Sequence, residues 1–183
     1  MVGNITNSKL LGGWTLVMQS AEKLPQPLAS AFGNLFGGGK FGGSYTAEYY
    51  VATQPVNGIN HMLIVERTKL ISGGKTVKDF ATVVINIPAG DIRGEKATIV
   101  SEKDATDFVL RDEIEVGVKK ALADYTGLSI VPLVEIGEQM VKGINYHFIC
   151  ESRINYTGAE PYLTRVAINN FQDNWTIAEI VKL

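Results

Sequence analysis

The sequence predicts an α+β protein of two tandem units, each one helix packed on a four- or five-stranded antiparallel sheet. Three observations carry that expectation. A segment recurs: Gln54-Pro55-Val56-Asn57-Gly58-Ile59-Asn60 returns 85 residues on as Gln139-Met140-Val141-Lys142-Gly143-Ile144-Asn145. Counting Ile64/Ile149 and Glu66/Glu151, seven of thirteen positions agree, where ordinary composition gives about one by chance. Before each copy lies one apolar stripe at helical spacing. After each copy come β-branched and aromatic runs broken by Gly, Pro and Asn.

In chain order, Leu10–Met18 reads as an extended entry with a Gly12-Gly13 joint. Leu24-Pro25-Gln26-Pro27-Leu28 opens a helix, since proline is tolerated in a first turn. Leu28, Phe32, Leu35 and Phe36 form its stripe, and Gly37-Gly38-Gly39 stops it. Tyr45–Thr53, Ile59–Ile71, Val77–Ile87 and Glu95–Ser101 read as strands. Asn57-Gly58, Gly73-Gly74 and Pro88-Ala89-Gly90-Asp91 turn the chain between them. Ile114, Val118, Leu122 and Tyr125 mark a second amphipathic helix, stopped at Gly127. Strands follow over Leu128–Glu138, where Pro132 favours an edge, then Ile144–Ile154, Pro161–Asn169 and Trp175–Val181. The boundary falls near Glu102–Asp107, giving units 1–103 and 104–183. Lys96–Lys103 fits either the last strand of the first unit or the first of the second.

Composition narrows the function. Of 183 residues 45% are hydrophobic and 20% charged, with net charge −2, a globular balance with no basic excess for nucleic acid. No run of 18 apolar residues suggests a membrane helix. Cys150 is the only cysteine, so an intramolecular disulfide is excluded. Met1–Gln19 does not read as a signal peptide; localisation stays open, cytoplasmic by default and secreted if a leader has been removed.

Enzymatic motifs fail one by one. The glycines from Gly33 to Gly43 lack the Walker pattern: Asn34 stands six residues before Lys40, and Phe41 follows it. His147 and Cys150 lie an odd number of residues apart on one expected strand, so they face opposite sides. Cys150 belongs instead with Ile144, Tyr146 and Phe148. One Cys and two His give no zinc set and no metal site. Asp112, Glu113 and Glu115 suit a helix N-terminus. The expectation is a non-enzyme without cofactors.

The loop then carries a resemblance. Gln139-Met140-Val141-Lys142-Gly143-Ile144-Asn145-Tyr146 is similar to the Gln-Val-Val-Ala-Gly-Thr-Asn-Tyr segment of the cystatin superfamily, and Gln54–His61 is a looser copy. Leu11-Gly12-Gly13-Trp14 resembles the entry of plant-type members. The resemblance implies reversible inhibition of papain-like cysteine proteases by a three-part wedge. Its parts would be Gly12 and Gly13, then Gln54, Val56 and Gly58, then Pro88 in the first unit. The second unit would use Gln139, Val141 and Gly143, with Trp175. Departures are Pro55, Asn57 and Lys142 in the loops, and second loops that carry Pro88 without Trp or Trp175 without Pro. Two alternatives stay open: a non-inhibitory binding or structural module, and Trp175 as a core residue. A plain hairpin explains Gly58 and Gly143, but Gln and Val less well. The chain is expected to be a monomer or a domain-swapped or edge-paired dimer.

Overall fold

A computed structural model of the chain describes residues 13–39 and 43–183. Nine strands and two α-helices follow one another among them. The described residues fall into two compact units that divide between Asp104 and Ala105.

In the first unit, β1 (Thr15–Ser20) precedes α1 (Leu28–Phe36). Then come β2 (Gly43–Val56), β3 (Gly58–Leu70), β4 (Thr76–Ile87) and β5 (Thr98–Asp104). They form one antiparallel sheet in the order β1-β2-β3-β4-β5. The segment left open by sequence is thus β5, whose Thr98–Asp104 pairs along β4. In the second unit, α2 (Asp112–Ala123) is followed by β6 (Leu128–Val141), β7 (Gly143–Ile154), β8 (Tyr162–Phe171) and β9 (Asn174–Lys182). Their sheet order is sequential and antiparallel.

The α+β expectation, and with it the cystatin layout, is corrected: the chain is predominantly β. The two helices hold only 9 and 12 residues, against two sheets whose long hairpins have arms of 12 to 14 residues. The cause is local. Pro25 and Pro27 delay α1, which starts only at Leu28 with Pro27 as its N-cap. Three glycines close it after two and a half turns. Meanwhile β-branched and aromatic residues carry the strands beyond the expected ends, to Val56 and Val141.

Each helix adds one row to a core made mostly by its sheet. Leu28, Ala31 and Phe36 join Leu63, Val65, Val83 and Ile85. In the second unit Ile114, Val118 and Ala121 join Tyr146, Phe148, Cys150, Val166 and Ile168. Cys150 therefore sits in the apolar core, and burial pushes its thiol up. The consecutive residues Leu63, Ile64 and Val65 are all fully buried, so neither face of the first sheet opens to solvent at its centre. Each such side chain contributes about 1.5–3 kcal/mol over an exposed one.

The two long hairpins share more than their loop motif. Register between β2 and β3 slips between Ala47 and Tyr49 and again between Tyr50 and Ala52. Between β6 and β7 it slips between Pro132 and Val134 and between Glu135 and Gly137. The slips fall at the same 85-residue step as the loop, which no identity in the sequence marks.

Candidate functional site

The end of the first sheet that holds the β2–β3 turn gathers three segments. Val56 pairs with Gly58, leaving Asn57 alone at the tip. Thr15 pairs with Thr53, so the start of β1, with Gly13 just before it, runs toward that tip. Ile59 pairs with Ile87, which brings Pro88 and the β4–β5 loop alongside. Gly13, Val56–Gly58 and Pro88 thus share one end of one sheet. Gly12 lies outside the described residues.

Gly58 shows how closely the tips pack. It has φ +109°, and an added Cβ would lie 2.8 Å from the Pro88 Cα and 3.0 Å from the Ala89 nitrogen. Only glycine gives both that conformation and that approach. The neighbouring loop is fixed independently. Asp91 accepts hydrogen bonds from the backbone N–H of Lys96 at 2.8 Å and Glu95 at 3.2 Å. These bonds, the one from Lys96 first, hold its carboxyl below the usual carboxylate range. Gly94 is buried with φ +67°, and a Cβ there would come within 2.8 Å of the Ala31 nitrogen, so this loop seats on α1. This end exposes apolar side chains, with Val56 and Ile59 half exposed and Ile92 80% exposed, beside the exposed Asn57 and Arg93. The sequence reading missed Ile92 and Asp91. The one signal for them was an isoleucine flanked by charge in Asp91-Ile92-Arg93.

The second unit also brings two hairpin tips together, with different side chains. Val141 pairs with Gly143, leaving Lys142 at the tip. Gly143 has φ +91°, and its Cβ would lie 3.1 Å from the Phe171 Cα. The β8–β9 turn places Gln172 and Asp173 at positive φ, the two-residue hairpin geometry. The Lys142 ammonium rests 4.8 Å from the centre of the Phe171 ring. Met140 is 72% exposed. Trp175 does not reach this surface. Its indole stacks on Tyr146 at 5.4 Å and covers Gly117, where any Cβ would overlap the ring; it belongs to the core of this unit.

The motif glutamine and asparagine have work inside the sheet. Asn60 donates to Gln54 at 2.9 Å, and Asn86 donates to Asn60 at 2.9 Å. In the second unit Asn169 donates to Asn145 at 2.8 Å. An amide ladder across neighbouring strands thus lies just behind each tip. Gln139 is half-buried on β6, paired with Asn145. Of the motif, the two valines are what face outward.

Titratable groups elsewhere serve the fold. Arg67, 7% exposed at its side chain, meets Asp79, Glu102 and Asp104 at 2.8, 2.7 and 3.2 Å. His61 accepts from or donates to the Tyr50 hydroxyl at 2.7 Å. His147 is buried with neither ring nitrogen partnered, and burial lowers its pKa. His147 and Cys150 are not brought together: the thiol is in the helix-side core, and the imidazole is on the other face of β7.

Geometry and chemistry define a predominantly β protein of two sheet-and-helix units, each ending in paired hairpin tips. Comparison with protein-family profiles, with curated proteins and with solved structures returns no match. Among the described residues no helix is long and apolar enough to cross a membrane.

Proposed function

We propose that this chain is a non-catalytic protein-binding module whose first unit enters the cleft of a papain-like cysteine protease and blocks it reversibly. The observation that carries this reading is the meeting of Gly13, Val56–Gly58 and Pro88–Ile92 at one sheet end. Such an edge is formed before binding, so little conformational entropy is lost on docking. Val56, Ile59 and Ile92 supply apolar contact without a charge to desolvate. The second unit is the weaker wedge, because Lys142 stands at its tip and Trp175 is internal. The cystatin resemblance and the tandem relation of the two hairpins belong to the same proposal; both rest on the shared loop residues and the shared register slips.

The test is steady-state inhibition of papain by the full chain, with Val56→Asp and Ile92→Asp variants. Both substitutions fall on exposed side chains and spare the turn glycines. Competitive, reversible inhibition weakened at least tenfold in either variant supports the reading. No inhibition at tens of micromolar ends it. In that case the binding-module alternative is favoured by one observation: Gln54, Asn60 and Gly58 are already used by the sheet.

A further inference from the structure

We propose that the second unit holds a binding site for an amino-acid zwitterion, in a cavity of about 540 Å³ at the Ile154 end of β7, away from the Lys142 tip. That volume is in the range of small-molecule sites, about 300–1,000 Å³. Register builds the floor. Thr164 pairs with Cys150 on β7 and with Lys182 on β9, while Ser152 pairs with Tyr162 and Val166 with Ile180. Residues directly opposite one another share a face, and alternate residues of one strand do too. Ser152, Tyr162, Thr164, Ile180 and Lys182 therefore lie on the side of the sheet that carries Cys150 and the α2 core. The β7–β8 loop supplies the facing wall. The Asn155 N–H donates to the Gly127 carbonyl at 3.1 Å, and the Ala159 N–H to the Tyr156 carbonyl at 3.3 Å. These bonds hold Tyr156, Ala159 and Glu160 against the cavity.

Three polar groups converge there with capacity to spare. Ser152 and Thr164 are fully buried, and their hydroxyls bond each other at 2.7 Å. Two hydroxyls carry two protons and one mutual bond uses one of them. Among the described residues the second proton has no acceptor, and a buried O–H left without one is costly. Lys182 is opposite Thr164 on the neighbouring strand. Its ammonium lies 5.0 Å from the centre of the Tyr162 ring. Glu160 lines the same cavity from the loop. Among the described residues neither Glu160 nor Lys182 forms an ion pair, so one cavity holds an acid and a base that do not neutralise each other.

Charge selects the ligand. A simple anion would meet Glu160, and a simple cation would meet Lys182. An α-amino acid satisfies both. Its carboxylate takes the Lys182 ammonium together with the spare hydroxyl proton, which are neighbours across β8 and β9. Its ammonium takes Glu160. The remaining lining is apolar, from Ile154, Ala159 and Ile180, and suits an apolar side chain. The exposed Tyr156 ring favours an aromatic one, which can stack on it.

The experiment titrates the full chain with L-phenylalanine, with hydrocinnamate, which lacks the ammonium, and with phenethylamine, which lacks the carboxylate. Calorimetry reads the affinity, and amide chemical shifts read the place. L-Phenylalanine is expected to bind with a Kd of about 2 mM or tighter, with shifts centred on 154–164 and 180–182. Each analogue should bind at least about tenfold more weakly. Lys182→Gln should weaken L-phenylalanine to the level of phenethylamine, and Glu160→Gln to that of hydrocinnamate. Both positions are exposed, so these variants keep the fold, which an unchanged Tm verifies. Thr164→Val, which removes the buried hydroxyl, should weaken binding several-fold. Equal affinity for the three compounds, shifts elsewhere, or full affinity in both charge variants would overturn the proposal. So would the absence of binding at about 10 mM, which means that the cavity is closed or already filled. Tighter binding of hydrocinnamate than of L-phenylalanine would assign the site to a simple carboxylate and overturn it as well.

Discussion

Replacing Gly58 with alanine tests how the paired tips are held, and the structure sets the size of the effect. At φ +109° an L side chain is strained, a penalty of about 1–2 kcal/mol. The methyl would also stand 2.8 Å from the Pro88 Cα, whereas carbon atoms prefer about 3.5–4.0 Å. The β4–β5 loop must therefore retreat by at least about 0.7 Å. It is anchored by Asp91 and Gly94, so a neighbouring backbone hydrogen bond is lost, at about 1 kcal/mol. The sum is roughly 2–3 kcal/mol, or on the order of 10–20 °C in Tm for a unit of this size. Gly73 is the control, with φ +86° and nothing within 4 Å of a Cβ. Gly73→Ala should cost only the conformational part, about 1–2 kcal/mol. Urea unfolding followed at core amides of the first unit measures both. If Gly58→Ala costs no more than Gly73→Ala, the close apposition of the two tips is wrong.

Three other outcomes are expected. Arg67→Ala strips a buried cation from Asp79, Glu102 and Asp104 and should cost about 3–5 kcal/mol at pH 7. Burial raises the Asp79 pKa, but the Arg67 guanidinium, then Lys69, hold it below its ordinary 3.8. The stabilisation is therefore complete above that value and lost as pH falls through the lowered one, so the penalty should shrink in acid denaturation curves as pH drops below 3.8. Trp175→Ala should destabilise by about 3–5 kcal/mol, and Gly117→Ala alone should also destabilise, because its methyl meets the indole. Combined, they should be less than additive, since the methyl then enters the vacated space and alanine favours the helix by about 1 kcal/mol; a thermal-melt double-mutant cycle reads this. His147→Leu removes a buried imidazole without partners and should stabilise by about 1–2 kcal/mol. Burial first, then Arg165, lowers the His147 pKa from 6.5, while Glu179 raises it. Stability of the unmodified chain should thus fall as pH drops below 6.5, and a pH series of Tm values should show the variant's advantage growing from pH 7 to 5.

Much of this molecule was legible along the chain. Asn57-Gly58 marks a turn because few residues take positive φ, and Pro88 ends β4 because it cannot donate to a ladder. Cys150 declared its core position through its even spacing from Tyr146 and Phe148. The balance of helix and strand was misjudged at α1. An apolar stripe fixes a helix's face, whereas the prolines before it fix its length. What depends on register was out of reach. Arg67 reads as a surface cation until β3, β4 and β5 align it with Asp79 and Glu102. Gln54 reads as a recognition residue, yet pairing across three strands joins it to Asn60 and Asn86 in an amide ladder. Ile92 reads as an ordinary loop residue, and only the seating of Gly94 against α1 leaves it pointing outward.

The proposed inhibition places the first unit's tips in a protease cleft. Amide hydrogen exchange of the full chain, alone and with active-site-alkylated papain, addresses it directly. New protection confined to Val56–Ile59 and to Pro88–Gly94 is the expected result. Unchanged exchange at both tips, or protection elsewhere in the chain, would contradict it.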